Sequence, residues 1–466
     1  MCADGGTTFP INGMRIGIHL IGLDGEKSTG NVRLYAQRFL NELEQNTTAR
    51  RQFRLAYDRF RYGNATDQEC EAITVIEMKG ESEEPVYRFY GFDYELLLTE
   101  RYRDSGLLKR AWMLFGAVFM KGATVIMKLF SRKASLSARA RLQSLYALVL
   151  LLIISLSGIL LIPAGITLVG TMLTQQQTIA LPFDLTGPQG GDGGFKPLVA
   201  HVEGDTTLFR AASDSTGTGA LEFFTRATKE SAYWTWLAGI IGLGSSIVLS
   251  LLPGGKALLA TLATQFTCAH YYFSNGDRRQ RILGQLDKLI ERVCEEETDP
   301  RIHFHCYSFG SLLTLDLLYP VSGEPGKHVL ERVEALCTIG CPYDIVRMYY
   351  PDYTRGRSSK LTGLKHWLNI YSSADILGSN FRLDSNTDQP NYHVAGNALQ
   401  ADNMPYEPQG VQGNQGLLSF LTLYAMKAHE KYWDDNPDGQ SCVRDVVKYL
   451  LANELLLGAP KDEAPI

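Results

Sequence analysis

Ser308 is the residue of this chain best placed for nucleophilic chemistry. It stands where Arg301-Ile-His-Phe-His-Cys-Tyr-Ser-Phe-Gly-Ser-Leu-Leu-Thr-Leu-Asp-Leu-Leu318 passes from an apolar strand-like run into an apolar helix-like run. A serine attacks a carbonyl only when its hydroxyl is held out towards a base and a substrate, and a strained strand-turn-helix elbow does this. Strand and helix cross closely there, so the residues two before and two after must be small. Cys306 and Gly310 meet that demand, although glycine is usual at both.

The hydroxyl is a weak nucleophile without an imidazole to take its proton and a carboxylate to orient that imidazole. Both are available downstream. Asp375 lies in Asn369-Ile-Tyr-Ser-Ser-Ala-Asp-Ile-Leu377, just past an expected strand, and His429 in Leu423-Tyr-Ala-Met-Lys-Ala-His-Glu-Lys-Tyr-Trp433. Asp344, in Gly340-Cys-Pro-Tyr-Asp344, is the rival acid, and His393, in Asn391-Tyr-His-Val394, the rival base. Each position also has a plainer reading as a turn serine, a capping aspartate or a helix-end histidine. His303 and His305 are expected to pack or hydrogen-bond within the elbow strand, and Cys341 to be a buried thiol.

These residues need a sheet to position them. Met14–Ile21 is an apolar run consistent with a buried strand, Gly22–Gly25 a turn, and Val32–Leu43 has helical apolar spacing. Ala72–Met78 and Val86–Phe92 read as strands, and Arg281–Cys294 as an amphipathic helix leading to the strand Ile302–Tyr307. Val333–Ile339 and Trp367–Tyr371 follow as strands, Leu417–Ala428 as a helix and Arg444–Leu457 as a closing helix. Strands alternating with helices favour an α/β fold with a mostly parallel sheet.

Hydropathy interrupts this pattern. Leu145–Met172 and Ser231–Gly255 carry no charged residue, and each is long enough to cross a bilayer core of roughly 30 Å at about 1.5 Å per helical residue. Basic residues precede the first run (Lys109, Arg110, Lys121, Lys128, Arg132, Lys133, Arg139, Arg141) and follow the second (Arg278, Arg279, Arg281). The intervening segment is more acidic, with Asp184, Asp192, Glu203, Asp205 and Asp214. The bias of positive charge towards the cytoplasm then puts both ends inside and 174–230 outside. Leu107–Phe130 is apolar but holds Lys121 and Lys128. It is expected to lie in the interface with its lysines reaching the headgroups, since a third span would separate the two parts of the sheet domain.

The resulting organisation is a first part of the α/β domain over residues 1–106, a basic apolar segment at 107–142, a hairpin at 143–262, the second part of the domain at 263–457 and a tail at 458–466. No secretory leader is visible, and the chain reads as an integral protein of a bacterial inner membrane. A net charge of -5 and a pI near 6.0 give no reason to expect nucleic acid as a partner. The eight cysteines show no CxxC pair or metal-ligand spacing, so reduced thiols and no zinc are expected.

The Cys-Tyr-Ser-Phe-Gly, Ser-Ala-Asp-Ile-Leu and Ala-His-Glu-Lys-Tyr-Trp segments resemble those of the α/β-hydrolases, in particular their lipase and serine-esterase members. The resemblance spans Met14–Trp433, with the membrane hairpin inserted before the elbow strand. It implies Ser308 as nucleophile, Asp375 as acid and His429 as base. His19-Leu-Ile-Gly-Leu-Asp-Gly25 is similar to the family's His-Gly loop, with Leu20 where a second glycine is usual. The backbone N–H of Phe309 and one at Leu20 or Ile21 would then form an oxyanion hole, worth roughly 3 kcal/mol per donor.

A membrane-anchored serine hydrolase acting on a lipid or other acyl ester is therefore expected, with the lipid bilayer as its surroundings and no metal or organic cofactor required. A thioesterase, amidase or peptidase would use the same triad, and a silent hydrolase fold acting as scaffold or sensor is the reading from outside catalysis.

Overall fold

β1 (Arg15–Leu20) forms because its side chains can be buried on both faces: Ile16, Ile18 and Leu20 enter one core layer, while His19 stacks on Tyr35 of the other. In this computed structural model the described residues are 14–23, 31–47, 51–65, 68–130, 141–152, 155, 255–357, 361–382, 392, 394, 396, 399–407, 428–434 and 438–456. β2 (Gln52–Arg61), β3 (Glu69–Lys79) and β4 (Ser82–Phe92) follow as an antiparallel meander. β5 (Arg301–Tyr307), β6 (Val333–Ile339), β7 (His366–Tyr371) and β8 (Asp402–Pro405) complete one mixed sheet of eight strands, ordered β2-β3-β4-β1-β5-β6-β7-β8. Every pairing from β4–β1 to β7–β8 is parallel.

One pairing decides where the site lies. β1 and β5 are far apart in sequence yet adjacent in the sheet, with His19 opposite His305 and Leu20 opposite Cys306. The loop that leaves β1 is therefore delivered to the side of Ser308.

Helices cover both faces. α1 (Asn31–Asn46) and a late helix, α10 (Val443–Ala452), bring Phe39, Leu43, Val446 and Leu450 against Phe89, Cys337 and Ile370. The opposite face carries α2 (Glu95–Arg103), α6 (Gly276–Glu296) and the elbow helix α7 (Phe309–Leu318), whose Leu98, Leu286, Leu289 and Leu312 share a core with Ile18, Phe304 and Leu336. α6 shows why: Ile282, Leu286, Leu289, Ile290 and Val293 recur at helical spacing and are all buried. The remaining α-helices among the described residues are α3 (Leu107–Phe130), α4 (Arg141–Leu152), α5 (Gly255–Ser274), α8 (Lys327–Arg332) and α9 (Tyr343–Tyr349).

The chain divides into two units, one of Met1–Leu152 with Ala257–Ile466 and one of Ile153–Lys256. Almost all of the second, including 174–230, lies outside the described residues, as do most of both charge-free runs, residues 417–427 of the expected helix and the tail 458–466. The described start of the first run, Leu145–Leu152, belongs to α4 and to the sheet unit. Among the described residues one helix segment, Trp112–Phe130 of α3, is long and apolar enough to cross a membrane by length and composition.

α3 differs from expectation in its lysines. Lys121 Nζ lies 4.3 Å from the Tyr350 ring centroid, and Lys128 Nζ donates to the Arg347 carbonyl at 2.9 Å. Both turn towards the C-terminal end of α9, where the last carbonyls lack helical partners and attract cations. The apolar side chains Trp112, Phe119, Met127 and Phe130 are the exposed ones instead.

Candidate active site

The local sequence forces a tight junction between β5 and α7. Ser308 adopts φ 51° and ψ -121°, a left-handed backbone that costs a non-glycine residue about 1–3 kcal/mol. The surroundings hold it there: Ser308 N–H donates to the Ile339 carbonyl at 2.8 Å, and Ser311 Oγ reaches back to the Cys306 carbonyl at 3.1 Å. Gly310 has no substitute, because a Cβ there would meet the Leu20 and Ile21 carbonyl oxygens at 2.7 Å. Cys306 is tolerated because its thiol is accommodated beneath α7, 3.0 Å from Thr314 Oγ1.

Asp375 and His429 come to this serine from two further elements. His429 sits on a 3-10 turn, Ala428–Glu430, with Nε2 2.7 Å from Ser308 Oγ and Nδ1 2.8 Å from Asp375 Oδ2. Asp375 lies in the loop after β7. Its Oδ2 also receives the Tyr432 hydroxyl at 2.8 Å, and its Oδ1 receives the Leu377 N–H at 2.8 Å. All three residues are buried, Asp375 completely and Ser308 with 8 % of its surface open. A carboxylate so placed fixes the imidazole with Nδ1 protonated and Nε2 free to accept from the serine.

No family model, curated protein or solved structure matches this chain.

The rivals separate cleanly. Asp344 Oδ2 accepts from the Ser379 hydroxyl at 2.7 Å, while it is Asp375 that meets the imidazole. His393 lies outside the described residues. His303 and His305 belong to a separate hydrogen-bond chain further back along β5, on the face that also carries Tyr307: Tyr35 Oη to His305 Nδ1 at 2.8 Å, His305 Nε2 to Tyr87 Oη at 2.7 Å, Tyr87 Oη to His303 Nδ1 at 3.0 Å, and His303 Nε2 to Glu334 at 3.5 Å. With both imidazoles neutral every link has one donor and one acceptor when Tyr35 donates to His305 and the direction runs on to Glu334. Burial lowers both histidine pKa values, well below 6.5 for His305, and holds that neutral state.

Of the expected oxyanion donors, one lies at a helix end. Phe309 is the first residue of α7, so its N–H is among the helix-end donors without an intrahelical acceptor. Leu20 ends β1 inside the sheet ladder, and the Ile21 carbonyl receives the Tyr94 hydroxyl at 2.6 Å. The backbone that abuts Ser308 is one step further on: a Cβ on Gly22 would lie 2.9 Å from Ser308 Cβ.

Several supporting residues were not singled out from sequence. Tyr307 stacks on the His429 ring with centroids 5.2 Å apart and donates its hydroxyl to the His429 carbonyl. Gly340 takes φ 58°, and a Cβ there would stand 3.2 Å from His429 Cε1. Gln143 of α4 donates to the Asp375 carbonyl at 3.2 Å, and Gln265 of α5 donates to the Leu23 carbonyl. A glycine directly after β6 was the available signal for Gly340; the glutamines carry none, because their partners are set by tertiary packing.

Among the described residues no cluster of histidine, cysteine, aspartate and glutamate could hold a metal ion. The seven described cysteines are free thiols.

Proposed function

We propose that this chain is a serine hydrolase of α/β-hydrolase type that cleaves a lipid or other acyl ester through an acyl-Ser308 intermediate. The observation that carries the reading is the continuous Ser308–His429–Asp375 hydrogen-bond chain on a strained elbow. The order nucleophile, acid, base along the chain, the acid after a strand two places beyond the elbow strand, and a β1–α1 loop beside the serine all agree with it.

In this mechanism His429 Nε2 takes the Ser308 proton as Oγ adds to the ester carbonyl, and the imidazolium is stabilised by Asp375. The Phe309 N–H and a second amide of the loop after β1 receive the oxyanion. Collapse breaks the ester bond, and His429 returns the proton to the leaving alkoxide. Water, deprotonated by the same imidazole, then releases the acid and restores Ser308.

The membrane anchor belongs to the same proposal: two spans, the first in the part of Leu145–Met172 beyond α4 and the second in Ser231–Gly255, 174–230 outside, and the sheet domain on the cytoplasmic side of a bacterial inner membrane. Exposed Trp112, Phe119 and Phe130 on α3 support contact with lipid. A fluorophosphonate probe on membranes holding the intact chain tests the enzyme reading. Labelling that disappears in Ser308→Ala is expected; an intact chain that resists the probe and leaves short-chain esters, phospholipids and acyl thioesters untouched would overturn it.

A further inference from the structure

Ser308 opens on a cavity of about 130 Å3 that the triad chemistry leaves unexplained. Ala147, Leu150 and Leu151 of α4 form one wall, Phe266 and Ala269 of α5 another, and Leu312 of the elbow helix part of the floor. Two features fix its role. Among the described lining residues Ser308 and Phe309 are present and His429 is not, so the cavity lies on the nucleophile and oxyanion side. The leaving alcohol must sit by the imidazole that protonates it, which leaves the acyl half of the substrate for this cavity. Its lining is also overwhelmingly hydrocarbon, and its one glutamine, Gln265, spends its amide on the Leu23 carbonyl.

The walls are notable for where they lead in the sequence. α4 runs into the first charge-free segment and α5 emerges from the second. Both are held to the site, α4 through Gln143 on the Asp375 carbonyl and α5 through Gln265 on the Leu23 carbonyl. On its other side α4 exposes Leu142, Leu145 and Val149, so the helix is an apolar partition between the cavity and an apolar surface.

Resting on the hydrolase reading above, we propose that this cavity is an acyl-chain pocket, that α4 and α5 set the chain length accepted, and that the substrate is an ester of an alkyl acid longer than acetate. Burying successive methylenes against these walls raises kcat/KM by about fourfold per methylene until the pocket is filled. Ala269 sits where a larger side chain would occupy the chain's path.

The test uses the full chain in detergent or vesicles with p-nitrophenyl esters from acetate to palmitate, and with a short-alkyl fluorophosphonate as a check on Ser308. The expected result is a rising chain-length profile in the intact protein. Ala269→Trp and, separately, Ala147→Phe should lose at least about tenfold on octanoate and longer esters while acetate hydrolysis and short-probe labelling stay within about twofold. A flat profile, or equal losses on acetate and palmitate in variants that still label, would overturn the pocket and leave the hydrolase reading standing. An intact chain that neither labels nor hydrolyses acetate removes both together.

Discussion

Tyr432 and His429 donate to the same oxygen of Asp375: each reaches Oδ2 at 2.8 Å. The second donor fixes the carboxylate in the plane the imidazole needs. The tyrosine hydroxyl itself accepts from the Ser372 N–H at 2.9 Å, so one hydroxyl ties the loop after β7 at both Ser372 and Asp375. Hydrogen bonds to a charged group contribute about 1.5–3 kcal/mol, which sets the scale for Tyr432→Phe at a roughly tenfold to hundredfold fall in kcat. KM for a short ester should change little. The measurement is steady-state kinetics on p-nitrophenyl acetate; a kcat equal to that of the intact protein would show that His429 orients Asp375 unaided.

Ser308 stores backbone strain, with φ 51° in a non-glycine residue. Ser308→Gly should relieve this and raise stability by about 1 kcal/mol after the extra chain entropy of glycine is subtracted. Ser308→Ala keeps a Cβ and should show no such gain. Both variants lose fluorophosphonate labelling. Thermal melts of the pair distinguish the cases, and equal midpoints would mean the elbow is unstrained.

The part of this site legible in sequence was the part written in local pattern. Ser308 declared itself because small residues, an apolar strand and an apolar helix coincide within a few positions, and Asp375 and His429 followed from chain order. β2 was missed because it is an edge strand whose Arg54, Asp58, Arg59 and Arg61 break the apolar pattern while protecting the sheet edge. β8 has four residues with no fully buried side chain, too little for any periodicity to register. α4 overlaps the start of the first charge-free run and α5 begins where the second one ends, so neither reads as a helix of the sheet domain. Their role as cavity walls depends on Gln143 and Gln265 finding backbone carbonyls distant in sequence, which no window of sequence displays.

Gln143 connects α4 to the acid loop by a hydrogen bond at 3.2 Å, from a side chain that is itself buried. Gln143→Leu, which keeps the volume but leaves the Asp375 carbonyl without this donor, should cost about 1–3 kcal/mol of local stability. The acid loop then samples other positions, so kcat falls severalfold on every ester regardless of chain length. That uniform loss separates a positioning residue from the pocket walls, whose variants act on long chains only. An unchanged kcat would place Gln143 outside the positioning of the acid.

Four buried imidazoles, His19, His270, His303 and His305, make the fold sensitive to acid. Burial is the leading cause in each case: it lowers His19 to about 3, His270 to about 4, His303 below its ordinary value and His305 well below it. In the unfolded chain each titrates near 6.5, so below that pH the unfolded state binds more protons than the folded one. Stability is therefore complete above about pH 6.5 and is lost as pH falls towards the folded values, at up to about 1.4 kcal/mol per pH unit for each histidine. His328 acts in the opposite sense, since its hydrogen bond to Asp287 raises its pKa; its contribution is full below about pH 6.5 and is lost as pH rises through the folded value. That pair is partly exposed and contributes at most about 1 kcal/mol. Denaturant midpoints measured from pH 8 to pH 4.5 should accordingly fall steeply below pH 6.5. Replacing His19 with Gln, which cannot take up a proton, should flatten the fall by up to one proton's slope; a variant curve parallel to that of the intact protein would mean that His19 does not titrate with unfolding.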